Sequence, residues 1–215
     1  MQTMTIEAHL PRSTRREWRI VGGVVGFIGL AGIVAGLLPA PAAPVVIRNE
    51  IRIARAAQDV FAFVTTPGNW PRWHPSSLAV SGATDHPLQV GEQVTEHFRV
   101  AGRRGRTVWT VTERTAPLHW KIVGAGQEGG HAWIAYTLTE QAGVTRFERE
   151  MRYRMPNLLA AMLDPILTRD KIAGESALAV ERLKQVLEHD SGGREFGSTD
   201  VDDGSTMQSA ERPIS

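Results

Sequence analysis

Two ionisable side chains stand where strand alternation calls for apolar ones. In the segment 93–101, Val94, Glu96, Phe98 and Val100 share one face, and in 144–155 so do Phe147, Arg149, Met151 and Tyr153. A carboxylate or guanidinium on a buried face is costly without a partner, so Glu96 and Arg149 must meet each other or the polar head of a ligand. If they pair, removing one strands the other at a cost of roughly 3–5 kcal/mol. If they face a substrate, Arg149 can polarise a carbonyl and Glu96 can move a proton, with His74 and Tyr136 as further candidates for proton transfer. His74 lies between Trp73 and Pro75 with no carboxylate nearby in sequence to orient it.

Other chemistry is excluded or weakened by residue type. The chain has 215 residues and no cysteine, which removes disulfides, thiolate metal sites and cysteine nucleophiles. Seven histidines are scattered without ligand spacing, so no metal is expected, and no cofactor is implied. There is no G-x-S-x-G nucleophile elbow. Lys+Arg number 24 against 23 Asp+Glu, a balance that argues against a broad nucleic-acid-binding face. Gly124-Ala-Gly126-Gln-Glu-Gly129 spells G-x-G-x-x-G after an apolar strand, but a dinucleotide site needs a helix opening at the last glycine. Here 130–136 continues as a strand, so the segment reads as a hairpin turn and no dinucleotide is expected.

The elements that must position these residues follow from periodicity. Val45 to Ala54 alternates as a strand; Val60, Phe61 and Val64 mark a short helix over 57–65, stopped by Pro67-Gly68. Asn69 to Pro75 is a second short helix bracketed by prolines. Its Trp70 and Trp73 either anchor it to the sheet or flank the mouth of a cleft. Six period-two segments follow, at 77–81, 93–101, 106–114, 118–123, 132–140 and 144–155, separated by Gly- or Pro-bearing turns. Thr107, Trp109 and Val111, then Leu118, Trp120 and Ile122, then Ile134, Tyr136 and Leu138, form the expected inward set. From Asn157 to His189 the pattern is helical, with Ile172, Ala173, Ala177, Val180, Leu183 and Leu187 on one stripe and Pro165 splitting or kinking its start. An α+β fold results, a curved antiparallel seven-stranded sheet wrapped on a long C-terminal helix with a cleft between them.

Ahead of this domain, Ile20 to Leu38 is a 19-residue run without a charged or amide side chain, long enough as a helix to cross a bilayer. A soluble core helix would carry some polar face over five turns, and six glycines would weaken it in water. Arg12, Arg15, Arg16 and Arg19 against Glu7 and Glu17 make residues 1–19 a basic tail. The positive-inside rule then places the N-terminus in the cytoplasm and the folded domain outside it. The alternative is a cleaved signal peptide, since Ala40-Pro41-Ala42 is an A-x-A-like site. The length of the run and the crowding prolines favour an uncleaved, single-pass anchor in the cell membrane. Gly22-x-x-x-Gly26 and Gly32-x-x-x-Gly36 are spaced to let two such helices pack as a dimer. Residues 39–44 form a stiff Pro/Ala linker, and 190–215, with two arginines against six acidic residues, form an acidic tail too poor in apolar residues to fold.

The run Ile47 to Val64 (IRNEIRIARAAQDVFAFV), followed by Gly68-Asn-Trp-Pro-Arg-Trp-His-Pro75, resembles the opening of the START-like, polyketide cyclase/dehydrase superfamily (SRPBCC). Gly143 to Phe147 resembles that family's penultimate turn and Ala179 to Glu188 its terminal helix, so the likeness spans Val45 to Glu188. It implies a helix-grip fold whose cavity takes a hydrophobic ligand, in a membrane-anchored member. Lipid carriers, polyketide cyclases, quinone-binding proteins and pollen allergens share that cavity without one catalytic signature, so the fold alone leaves the substrate open. The residues expected to line the cavity are Trp73, Glu96, Phe98, Trp109, Trp120, Tyr136, Arg149, Met151 and Tyr153. The first expectation is a binder of a lipid, isoprenoid or polyketide-like molecule. The alternatives are a cyclase- or dehydratase-like enzyme using Glu96, Arg149, His74 or Tyr136, and an interaction protein whose cleft is packed shut.

Overall fold

A computed structural model describes residues 13–126 and 130–192. Most of the basic tail and nearly all of the acidic tail expected from the sequence lie outside these residues. Helix α1 (Ser13–Leu37) is followed by β1 (Val45–Ile53), α2 (Ala57–Thr65), a 3-10 turn at Pro67–Asn69 and α3 (Trp70–Trp73). Strands β2 (Ser77–Gly82), β3 (Gln93–Val100), β4 (Arg103–Thr115), β5 (His119–Gly126), β6 (His131–Gln141) and β7 (Val144–Arg154) come next. Two helices, α4 (Leu158–Leu167) and α5 (Arg169–Gly192), complete the described elements.

The seven strands form one antiparallel sheet in the order β1-β7-β6-β5-β4-β3-β2. One face packs on α5, the helix-grip arrangement. Its distal half is a solid core in which Trp120, Leu138 and Phe147 from the sheet meet Val60 and Val64 from α2 and Leu183 from α5. Apolar positions on alternate strand residues and on one helix stripe bury together because each element alone would leave that surface in water.

Several expectations change in detail. Helix α1 begins at Ser13 and so takes up part of the expected basic tail; its span Ile20–Leu37 is long and apolar enough to cross a membrane and none of it is buried. The C-terminal helix is split by Thr168, one turn after Pro165, into α4 and α5. Strand β4 starts at Arg103 rather than 106, because Ala101 and Gly102 both adopt positive φ and close a tight two-residue hairpin. Gly124 and Gly126 lie within β5, so the glycine-rich hairpin turns later than expected, in a segment partly outside the described residues. Gly124 is required there: a Cβ would sit 2.6 Å from the Trp109 ring and from the Thr107 methyl group. Leu118, expected inward, stands exposed in the turn whose Leu118 N–H bonds Thr115 O. On α5 the buried stripe runs through Ser176 and Ala179, and Ala177 faces solvent.

Candidate functional site

The proximal half of the space between sheet and α5, near the start of β1, is a cavity of about 240 Å³. The cleft is thus not packed shut. Its wall carries Phe98, Val100, Trp109, Ile134, Met151 and Tyr153 from the sheet, Trp70 and Trp73 from α3, and Ile172 from α5. Eight of the nine residues expected to line it do so: Trp73, Glu96, Phe98, Trp109, Tyr136, Arg149, Met151 and Tyr153, joined by His74. Trp120 does not. It is fully buried in the distal core, stacked on Tyr136 at 5.2 Å and met edge-on by Trp70.

Short elements fix the aromatic part of the wall. Trp70 donates its Nε1–H to Val64 O at 2.9 Å, tying α3 to the end of α2, so it serves as anchor and wall together. Trp73 meets Tyr136 edge-on at 6.3 Å. Trp109 lies over Gly124 and donates its Nε1–H to Glu96 Oε2 at 2.7 Å. The two residues reach each other because Glu96 registers with Thr107 on β4, which puts Trp109 at the diagonal position on the same face.

At one end of this apolar wall sits a polar pole. Arg149, 2 % exposed, donates from Nη1 to Ser176 Oγ at 2.6 Å, and its Nη2 lies 3.1 Å from His74 Nε2. Ser176 Oγ in turn donates to Asn49 Oδ1, on the β1 residue that registers with Arg149. A guanidinium only donates, so His74 Nε2 must accept and the ring's proton sits on Nδ1. Burial first, and then the Arg149 charge, push the His74 pKa down to about 3, which keeps the ring neutral in that tautomer. Burial likewise pushes the Tyr136 phenol up to about 12, against the opposing effect of Arg149. Burial raises the Glu96 pKa, opposed by neighbouring Ser77 and Trp109 and by the Arg149 charge.

Glu96 and Arg149 both face the cavity, yet they form no ion pair; each has neutral partners instead. Arg149 Nε, His74 Nδ1 and Trp73 Nε1 are buried in the wall with no hydrogen-bond partner among the described residues. The pole is therefore rich in N–H donors and short of acceptors. Among the described residues no group of three or more His, Asp or Glu is placed to hold a metal ion.

Asn49 and Ser176, which hold Arg149, were not anticipated. Asn49 had a signal, since it falls between Ile47 and Ile51 on the inward face of β1. A second buried carboxylate, Asp164 on α4, was also not anticipated. It accepts from Tyr153 Oη at 3.0 Å on both oxygens, from Thr168 Oγ1 and from Arg169 Nε at 3.1 Å, and so braces the α4–α5 junction against β7.

A protein-family model described as polyketide cyclase / dehydrase and lipid transport matches residues 44–188. No curated protein matches the sequence. Among solved structures, a protein from Arthrobacter aurescens is similar at 17% identity and TM-score 0.52, covering 73% of this chain and 93% of its own. A conserved protein from Geobacillus kaustophilus is similar at 12% identity and TM-score 0.52, covering 69% and 96%. A hypothetical protein from Helicobacter pylori is similar at 11% identity and TM-score 0.52, covering 66% and 88%. At these identities the likeness is one of fold.

Proposed function

Since the chain belongs to the polyketide cyclase / dehydrase and lipid transport family, we propose that it is a membrane-anchored binder of a hydrophobic small molecule that carries an acceptor oxygen: a lipid, isoprenoid or polyketide-like compound. The observation that carries this reading is the cavity itself, apolar along its length and donor-rich at the Arg149–His74 pole. An apolar body fills the wall between Trp109, Phe98 and Met151, and its carbonyl or carboxylate oxygen is directed at the Arg149–His74 end of the cavity. Anchoring is supported by the uncharged run Ile20 to Leu38 and by a helix none of whose span is buried. The arginines before it support a cytoplasmic N-terminus, with a cleaved signal as the alternative.

Titration of the detergent-solubilised full chain with an apolar fluorescent probe should give saturable binding that long-chain fatty acids or polycyclic ketones compete away. Phe98→Asp, which puts a charge in the apolar wall, should weaken probe binding strongly. Probe binding that never saturates, or that survives Phe98→Asp unchanged, contradicts the reading.

A second reading, a cyclase- or dehydratase-like enzyme, rests on Glu96. Its carboxyl lies on the cavity wall and burial makes it hold its proton more tightly, which suits a general acid. Turnover of a polyketone that is lost in Glu96→Gln, with probe affinity intact, would establish that reading over simple binding.

A further inference from the structure

Strand register sets the end of the sheet at which the cavity opens. Val45 pairs with Tyr153, His131 with Arg154 and Val100 with Arg103, so these residues form one edge, the edge where the chain arrives from α1. At the opposite end Trp120, Leu138, Phe147 and Leu183 fill the space between sheet and α5. The cavity wall runs out to Val100, Gly126, His131 and Arg154, so the cavity reaches the edge nearest α1, the end that the core leaves unfilled.

Helix α4 sits at that same end. It packs against α1, and its Leu158 N–H donates to Leu38 O at 2.9 Å, just past the last turn of α1. It buries Asp164 toward Tyr153 but turns its apolar side outward: Met162 is 62% and Ile166 79% exposed, with Leu163 and Leu167 exposed beside them. We propose that α4 lies in the interfacial layer of the bilayer that α1 crosses, so that the cavity opens onto the membrane and exchanges its ligand with the lipid phase rather than with water. This rests on the anchored reading above.

A lipid surface is the occupant that fits, because the bare apolar face of α4 is continuous with the bare apolar surface of α1 through Leu37 and Leu38. At the same edge the β3–β4 hairpin presents exposed Arg104, a rim residue suited to anionic headgroups. On α5 the exposed Asp170 is followed by the exposed Lys171. The hairpin is held toward α5 by the Ala101 N–H, which donates to Glu175 Oε1 at 3.0 Å.

The absence of cysteine permits a direct test. Single variants Phe27→Cys, Ile166→Cys and Val144→Cys replace exposed residues of α1, α4 and the distal β6–β7 turn, leaving the core intact. Each is labelled with a polarity-sensitive fluorophore in the full chain, reconstituted in phosphatidylcholine–phosphatidylglycerol vesicles that contain lipid-borne quenchers. Labels at 27 and 166 should be blue-shifted, quenched by the lipids and several-fold less accessible to aqueous iodide than the label at 144. If 27 is lipid-quenched while 166 is as open to iodide as 144, the α4 proposal is overturned and the anchor stands. If 27 is also open to iodide, the anchor falls and the proposal falls with it.

Discussion

Arg149→Met is expected to separate stability from binding. Arg149 is a buried cation whose partners are neutral, Ser176 and His74, and among the described residues no carboxylate forms an ion pair with it. Replacing it by an apolar side chain of similar length removes a desolvated charge. Ser176 keeps its bond to Asn49, and His74 is free to move its ring proton to Nε2. Chemical denaturation should therefore show stability unchanged within about 1 kcal/mol, the lost hydrogen bonds being offset by the removed desolvation cost. Binding of the apolar probe should persist. Competition by an oxygen-bearing ligand such as a long-chain fatty acid should weaken by about 10- to 150-fold, the equivalent of a charge-assisted hydrogen bond of about 1.5–3 kcal/mol. A stability loss of roughly 3–5 kcal/mol with ligand competition intact would instead make Arg149 part of a structural pair.

Asp164→Ala should destabilise the domain by roughly 2–5 kcal/mol in the same denaturation measurement. The carboxylate is 2 % exposed and takes donors from Tyr153, Thr168 and Arg169. Its removal strands the Tyr153 hydroxyl in an apolar environment and frees the α4–α5 junction from β7. Asp164→Asn, which still offers one acceptor, should recover part of the loss. The double change Tyr153→Phe with Asp164→Leu should recover more, because it removes donor and acceptor together. A single change within about 0.5 kcal/mol of wild type would show that the network does not hold the junction.

Period-two patterning placed all seven strands within a few residues, because inward and outward side chains differ sharply in polarity along β3, β6 and β7. The same pattern identified Glu96 and Arg149 as inward charges. It carried no information about how far along a strand a residue sits relative to the cavity, which is why Trp120, inward but distal, was placed on the wall. Nor did it say whether Glu96 meets Arg149. Strands β3 and β7 stand four places apart in the sheet, so their separation depends on curvature, a property of the whole assembly rather than of either segment. Ser176 was invisible for a related reason. It is a polar residue beside the apolar Ala177, and only the phase of α5 against Arg149 selects between them. The mid-α4 carboxylate Asp164 is sequentially close to Thr168 and Arg169, but its main donor, Tyr153, comes from β7 across a turn.

Native mass spectrometry of the full chain, extracted from membranes in mild detergent, tests most directly the claim that the cavity holds an oxygen-bearing apolar ligand. Wild type should retain one small molecule per chain, hydrophobic and oxygen-bearing, and Arg149→Met prepared identically should be depleted of it. Wild-type protein that carries no such molecule and takes none up when fatty acids or polycyclic ketones are added, or a retained ligand whose occupancy Arg149→Met leaves untouched, would contradict it.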